Sequence, residues 1–245
     1  MMATTELKVE KLEAVETKPE LQPDPLLHQK KKERKQLVTI IIVIAVLLAL
    51  GSGTFSLFHF SKAPQALPVD ELHDLNRQGK LSSERGYMYE GNSIVMTEGL
   101  WWSDVFFAGT MFKVPLHFGP RDVEEIAISG QLNSSFNDEP DIYVAIDPEV
   151  SDKYYTLAIS ELSLNLAKIM NRAPIGSCTQ ENENVCFERE IINCEKTRGK
   201  PVIEFEYSEI PSVQLAGSCI KITGQGYNLT KSVDRLLYQW YGIMK

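Results

Sequence analysis

The chain has 245 residues, and its 25 Lys and Arg against 33 Asp and Glu give a formal net charge of −8. Residues 1–36 carry eight basic and seven acidic side chains, a net charge of +1, whereas residues 61–245 carry 17 basic and 26 acidic ones, a net charge of −9. A large acidic segment without a basic stripe lacks the electrostatic footprint of a nucleic-acid-binding protein. Nucleic acid is therefore not an expected partner.

Residues 1–36 predict a disordered cytoplasmic tail. Glu and Lys alternate there around a few Leu and Val residues, and three prolines lie in its second half. This segment has too little apolar surface to hold a core of its own.

Residues 37–60 form an uncharged, mostly apolar run of 24 residues directly after a basic cluster at 30–35. About 20 apolar residues in a helix cross the hydrocarbon core of a bilayer, and Lys- and Arg-rich flanks stay on the cytoplasmic side. The run therefore predicts a single-pass transmembrane helix, a signal-anchor in the cell membrane, with the N-terminus in the cytoplasm and residues 61–245 outside. A cleaved signal peptide ending near Gly51–Gly53 is the alternative.

Small residues recur every fourth position within this run, at Ala45, Ala49 and Gly53. Such spacing places them on one helix face, where small side chains let two membrane helices approach closely. The face predicts self-association in the lipid bilayer, as a homo-oligomer, or a role as an accessory subunit of a membrane complex.

The first outer segments predict a tether and then a β-rich part. Residues 61–85 contain Pro64, Pro68 and Gly79, which favour a tether. Residues 86–139 form the β-rich part, with strands expected at 87–95, 100–107, 110–118 and 126–128 and a tight turn at Ala108–Gly109. Six aromatic residues there either fill the core of a small sheet or stack sugars or nucleobases. They are Trp101, Trp102, Phe106, Phe107, Phe112 and Phe118.

Residues 140–245 predict an α/β, disulfide-bonded part. A strand at 142–146 is followed by Asp147-Pro148-Glu149, a helix-start signal, and by an apolar stripe from Tyr155 to Ile169. Pro174 and Gly176 end that helix, and strands at 202–207, 213–215 and 219–223 precede a second amphipathic helix over 229–243. The order strand, helix, strand, strand, helix favours an α+β or α/β outer domain on the N-terminal transmembrane helix.

All four cysteines lie on the outer side of this topology, where an oxidising compartment favours two disulfides. Seven polar, turn-like residues between Cys178 and Cys186 favour pairing of those two, which leaves Cys194 with Cys219 at the start of a strand. Structural zinc prefers cysteine pairs two to four residues apart, so the spacing does not favour a metal. No cofactor is expected.

Two sequons outside the membrane, at Asn133 and Asn228, predict a glycoprotein. The second asparagine has an alternative role as the N-cap of the last helix.

No recognised catalytic motif is present, and the catalytic residues are unknown. His73 lies in the tether and His117 ends an aromatic strand, while Asp138, Glu139 and Asp141 are typical of a solvated turn. We expect an extracellular domain that binds or organises an envelope protein or a glycan. The alternative is an envelope-facing enzyme with hydrolase-like acid/base chemistry by carboxylates and His117, which would require a cleft with converging polar groups and perturbed pKa values.

The stretch from Cys178 through Cys219, with the run DRLLYQWYGIM at 234–244, resembles the C-terminal part of uncharacterised single-pass membrane proteins of archaeal genomes. The resemblance covers roughly the last 100 residues. It implies an archaeal cell membrane and an outward-facing domain, and it transfers no activity and no catalytic residue.

The predicted topology can be tested on intact cells. Added protease should digest residues 61–245 and spare an epitope within residues 1–30, because the basic cluster holds the N-terminus inside. The intact mass of the mature protein should include residues 1–60. Protection of the C-terminal part would contradict the orientation, and a mature N-terminus at Ser52 or Thr54 would identify a cleaved signal instead.

Overall fold

The computed structural model describes Arg34, residues 37–48 and residues 67–245. Residues 37–48 are helical (α1). The second half of the expected span at 37–60 lies outside the described residues, as do Ala49 and Gly53 of the expected packing face and nearly all of the expected tail. Within the described part of the chain, no helix combines the length and the apolar character needed to cross a bilayer. Ala66–Lys245 forms a compact unit.

This unit begins with a helix where the sequence predicted a tether over 61–85. The helix α2 (Val69–Arg77) buries Leu72, His73 and Asn76. The Asn76 amide donates to the backbone oxygens of Tyr87 (3.0 Å) and Ile94 (3.3 Å) in the sheet that follows. Two polar side chains and one apolar side chain thus hold the helix on that sheet. The segment is rich in Asp and Asn, so its sequence did not predict a packed helix.

The first sheet is a four-stranded antiparallel meander, with its strands in chain order. Positive φ angles at Glu90–Gly91, Glu98–Gly99 and Ala108–Gly109 form its three two-residue turns, the backbone that tight hairpins favour. The expected turn at Ala108–Gly109 is present, whereas the single strand expected over 87–95 is divided by the turn at Glu90–Gly91. The strands are β1 (Gly86–Tyr89), β2 (Asn92–Thr97), β3 (Leu100–Phe107) and β4 (Thr110–Leu116).

The second sheet has six strands in the order β5-β9-β10-β8-β6-β7, and all its pairs are parallel except β9 with β10. The first of these strands follows the meander directly, so the boundary expected at 139/140 does not separate the two sheets. The mixed α and β character predicted for the outer domain is confirmed. The strands are β5 (Ala127–Leu132), β6 (Asp141–Ile146), β7 (Ala173–Cys178), β8 (Val202–Tyr207), β9 (Ser212–Gly217) and β10 (Cys219–Gly224).

Three α-helices accompany these strands: α3 (Pro120–Val123), α4 (Lys153–Lys168) and α5 (Tyr227–Trp240), with a 3-10 turn at Ser134–Asn137. The helix α4 begins later than the sequence predicted. Its N-cap is Asp152, whose side chain accepts a hydrogen bond from the Tyr154 N–H (3.0 Å), whereas Asp147 lies in the preceding turn. Pro174 and Gly176, expected to end this helix, lie within β7.

One apolar core joins both sheets to α4 and α5. Nine residues of α5 between Leu229 and Tyr238 are buried, and burial around so much of a helix is typical of an element inside the core. The core includes Ile94, Val114 and Leu116 from the first sheet, Ile142, Ile203 and Ile222 from the second, and Leu162, Leu166, Val233 and Leu237 from the helices.

The other face of the six-stranded sheet is covered by the segment 179–200. Side chains alternate across a strand, so Ala145 and Val202 point away from the helices and pack with Ile192 of this segment. The disulfide between Cys194 and Cys219 (Cα–Cα 5.4 Å) bonds the segment to β10. A second disulfide joins Cys178 and Cys186 (Cα–Cα 6.1 Å). Both pairs predicted from the sequence are present, and they fit an oxidising compartment.

Loss of the two disulfides should have unequal effects. In the chain-entropy description, closing loops with sequence separations of 25 and 8 contributes about 3.5 and about 2.5 kcal/mol respectively. Replacing both Cys194 and Cys219 by Ser should therefore lower the free energy of unfolding by about 1 kcal/mol more than replacing both Cys178 and Cys186. Denaturant unfolding measures the difference, and the opposite ranking would contradict it.

Candidate functional site

A groove lies between the end of the first sheet and α4, with a volume of about 430 Å³. Its residues on α4 recur at helical spacing from Leu157 to Ile169, a length of about 18 Å at 1.5 Å per residue. We call it the α4 groove. Its lining is Leu100, Trp102, Lys113, Val114, Pro115 and His117 on one side and Leu157, Ser160, Glu161, Leu164, Asn165, Lys168 and Ile169 on the other.

His117 is held by a buried carboxylate of α4. Glu161 is 7% exposed and accepts two hydrogen bonds from His117, one from the backbone N–H (3.2 Å) and one from Nδ1 of the ring (2.8 Å). The hydrogen bond to Glu161 raises the pKa of His117 above its ordinary value. Since Nδ1 carries the proton given to Glu161, Nε2 is the ring atom left for a ligand.

A second carboxyl lies behind Glu161. Asp234 of α5 is fully buried, and its Oδ2 accepts a hydrogen bond from the Phe118 N–H (2.8 Å). Burial, followed by the charge of Glu161 within hydrogen-bonding reach, raises the pKa of Asp234 well above its ordinary value. Its Oδ1 has no hydrogen-bond partner among the described residues, and the raised pKa favours a proton on this carboxyl.

Further hydrogen bonds fix the same junction between β4 and α3. The Tyr238 hydroxyl donates to the Phe118 backbone oxygen (2.8 Å). On α4, the Asn165 amide donates to the Glu161 backbone oxygen (2.8 Å), and the Tyr241 hydroxyl donates to the side-chain oxygen of Asn165 (2.6 Å). Both helices therefore hold residues 117–118, and the His117 ring has one orientation in the groove. We call Glu161, Asp234 and Tyr238 the junction clamp.

The groove offers hydrogen bonding and acid/base chemistry at His117 and apolar contact elsewhere. An imidazole oriented by a carboxylate can act as a general base through its free nitrogen. Ser160 also lines the groove, but its hydroxyl donates to the Thr156 backbone oxygen (2.8 Å). Because the hydroxyl proton of Ser160 is used in this hydrogen bond, it is not donated to His117. The geometry therefore does not make Ser160 a nucleophile activated by His117.

The other polar residues noted in the sequence lie away from this groove. His73 is 1% exposed, its Nδ1 lies 2.9 Å from the Ser93 hydroxyl, and burial lowers its pKa. Glu139 forms an ion pair with Lys200 (3.2 Å). Asp138 and Asp141 do not line the groove. Only His117 among these residues contributes to it.

The six aromatic residues of the β-rich part divide between core and surface. Trp101, Phe107, Phe112 and Phe118 pack against the core, Trp102 lines the groove, and Phe106 is 69% exposed. The expected core role thus describes most of them, while Trp102 provides one apolar wall of the groove.

The sequon asparagines Asn133 and Asn228 are both exposed. The expected N-cap role of Asn228 is not observed, because α5 is preceded by Gly226 with a φ of 56°.

No family model, curated protein or solved structure matches this chain significantly. The case for a function therefore depends on the groove and the junction clamp.

The raised pKa of Asp234 predicts a contrast between two substitutions at this position. Asp234→Asn keeps an acceptor for the Phe118 N–H and supplies an N–H donor to Glu161, so it should change the free energy of unfolding by less than about 1 kcal/mol at neutral pH. Asp234→Ala leaves both partners buried and unsatisfied, which should cost about 3 kcal/mol. Denaturant unfolding measures both values, and equal losses would contradict a protonated Asp234.

The same proton predicts how stability depends on pH. Above the ordinary pKa of 3.8, the folded chain keeps a proton on Asp234 that the unfolded chain has lost. The free energy of unfolding should therefore fall as the pH rises from about 4 through the raised pKa of Asp234. The pKa of His117 is also raised, so the free energy of unfolding should fall further as the pH rises above 6.5. In Asp234→Asn the first fall should disappear, and its persistence would assign it to another group.

Proposed function

We propose that this protein is a membrane-anchored binding module of the cell envelope, which holds a small, largely apolar ligand in the α4 groove. The two disulfides support a location outside the cytoplasm. The uncharged run at 37–60, directly after a basic cluster, supports the anchor.

The observation that carries the proposal is a groove with apolar walls and one oriented polar group. Binding sites for small molecules are commonly concave and apolar, with few convergent polar groups and a volume of ~300–1,000 Å³. The α4 groove meets this description at about 430 Å³. Leu164, which is 53% exposed on α4, lines this groove together with Trp102 and Ile169, so a ligand there would cover apolar surface that water now contacts.

Hydrolysis by a base-activated water is a second candidate function. It is favoured by one observation, the pairing of His117 with a buried carboxylate that leaves Nε2 free. The test substrate is p-nitrophenyl butyrate. The function would be enzymatic if the protein hydrolyses this ester faster than free imidazole does and if His117→Asn loses the activity. Equal hydrolysis rates for the wild-type protein and His117→Asn would contradict the enzyme and favour the binding module.

Ligand binding can be tested with the neutral apolar dye N-phenyl-1-naphthylamine. Its fluorescence should rise on binding to the wild-type protein. Leu164→Arg should weaken the binding at least 10-fold, because a charged side chain would then lie in the apolar part of the groove. Leu164 is exposed, so the substitution should leave the core unchanged.

Ile210→Arg is the matched control, since Ile210 is 74% exposed and does not line the groove. This variant should bind the dye like the wild type. Equal losses in the two variants, or no fluorescence change with the wild type, would contradict a binding function of the α4 groove.

A further inference from the structure

The ionisable side chains that line the α4 groove include more cations than acids, so the charge without an ion-pair partner is positive. Four of them line it: Lys113, His117, Glu161 and Lys168. The only acid among them, Glu161, accepts hydrogen bonds from the backbone N–H and the ring of His117. Lys113 pairs with Asp70 and Asp104, whereas Lys168 forms no ion pair within the described residues. The groove is thus locally basic within a segment of net charge −9, and charge complementarity favours an anion.

His117 provides the most defined anchor for such an anion. When the ring is protonated, Nδ1–H donates to Glu161 and Nε2–H is a donor free for the groove. A carboxylate is the matching acceptor, because charge-assisted hydrogen bonds to an ionised acceptor are short and strong. The hydrogen bond to Glu161 favours the protonated ring, which supports this pairing.

The shape of the groove indicates that the ligand also has an apolar part. His117 lies at the level of Glu161, and the lining residues of α4 continue from there to Ile169. That distance is about 12 Å along the helix. Leu164 and Ile169 form one wall of this stretch and Trp102 lies across from them, so the walls suit an unbranched hydrocarbon chain.

We propose that the α4 groove binds a single-chain amphipathic carboxylic acid, with the carboxylate on Nε2 of His117 and the hydrocarbon chain along α4. This inference rests on the proposed binding function and adds the chemical class of the ligand. The junction clamp has the role of positioning the imidazole.

The test compares decanoate with decanol as competitors for bound N-phenyl-1-naphthylamine, at pH 6, at fixed ionic strength and below the concentration at which micelles form. Both compounds share the same hydrocarbon chain, so their difference reports on the head group alone. Decanoate should displace the dye at least 10-fold more effectively than decanol.

His117→Asn is the decisive variant. The Asn amide can occupy the place of Nδ1 and donate to Glu161, but it has no atom equivalent to Nε2. The variant should bind the dye normally and lose the preference for decanoate. Lys168→Gln is the comparison variant, because it removes the unpaired charge of the groove but not the donor on His117. It should weaken decanoate less than His117→Asn does, by less than about 3-fold.

A pH series on the wild-type protein is the second measurement, should His117→Asn fail to fold. The preference for decanoate over decanol should decline as the pH rises through the pKa of His117. Lys113, Lys168 and Glu161 also face the groove. Loss of the proton from Asp234 would add negative charge behind Glu161 and weaken decanoate alone. The series is therefore repeated on Asp234→Asn, in which the decline should persist.

The outcomes separate the two proposals. Equal displacement by decanoate and decanol would overturn the acid ligand while leaving the binding function in place. A preference for decanoate that survives His117→Asn, or that is lost in Lys168→Gln, would overturn the role of His117. Failure of the dye to bind the wild-type protein would overturn the proposed function itself.

Discussion

Two buried carboxyls, Glu161 of α4 and Asp234 of α5, hold the place where the first sheet joins the helices. Two ionised carboxylates at this depth would cost several kcal/mol each in lost hydration. The raised pKa of Asp234 favours its neutral form, and the N–H groups of His117 and Phe118 and the His117 ring donate to the carboxyl oxygens that face them. The packing of both helices against the first sheet and the orientation of the groove histidine therefore depend on the same few hydrogen bonds.

The junction clamp shows why sequence patterns predicted the elements better than the site. The strand at 100–107, the turn at Ala108–Gly109 and the Cys178–Cys186 loop each depend on neighbouring residues, and all three are present. Glu161 and Asp234 contact residues 44 and 116 positions away in the chain, so no local pattern reveals their partners. Asp234 did carry one local signal, since it lies three residues before Leu237 and hence next to the apolar stripe of the last helix.

In a doubly wound fold, helices cover both faces of the sheet. Here a disulfide-bonded segment covers one face of the six-stranded sheet instead. The segment 179–200 is too polar to bury itself, and the disulfide to β10 holds it on the sheet around Ile192. At the outer edge of β7, Pro174 offers no N–H, and the Cys178 N–H donates to the Glu190 backbone oxygen (3.2 Å). An edge without a continuous row of free donors resists pairing with other chains. The fold is thus suited to an oxidising compartment, where both bonds persist.

On the proposed function, affinity and selectivity in the α4 groove would have separate physical origins. Apolar walls such as Trp102 and Leu164 stabilise any hydrocarbon in proportion to the area they cover, at about 25 cal/mol per Å², and they distinguish poorly between head groups. A donor fixed by the clamp distinguishes strongly, because a ligand without an acceptor would leave Nε2–H buried and unpaired. Since Glu161 already holds the ring, a ligand need not supply the free energy to order it. On the proposed function, the buried carboxyl pair would therefore set the selectivity of the groove through the orientation of the His117 ring.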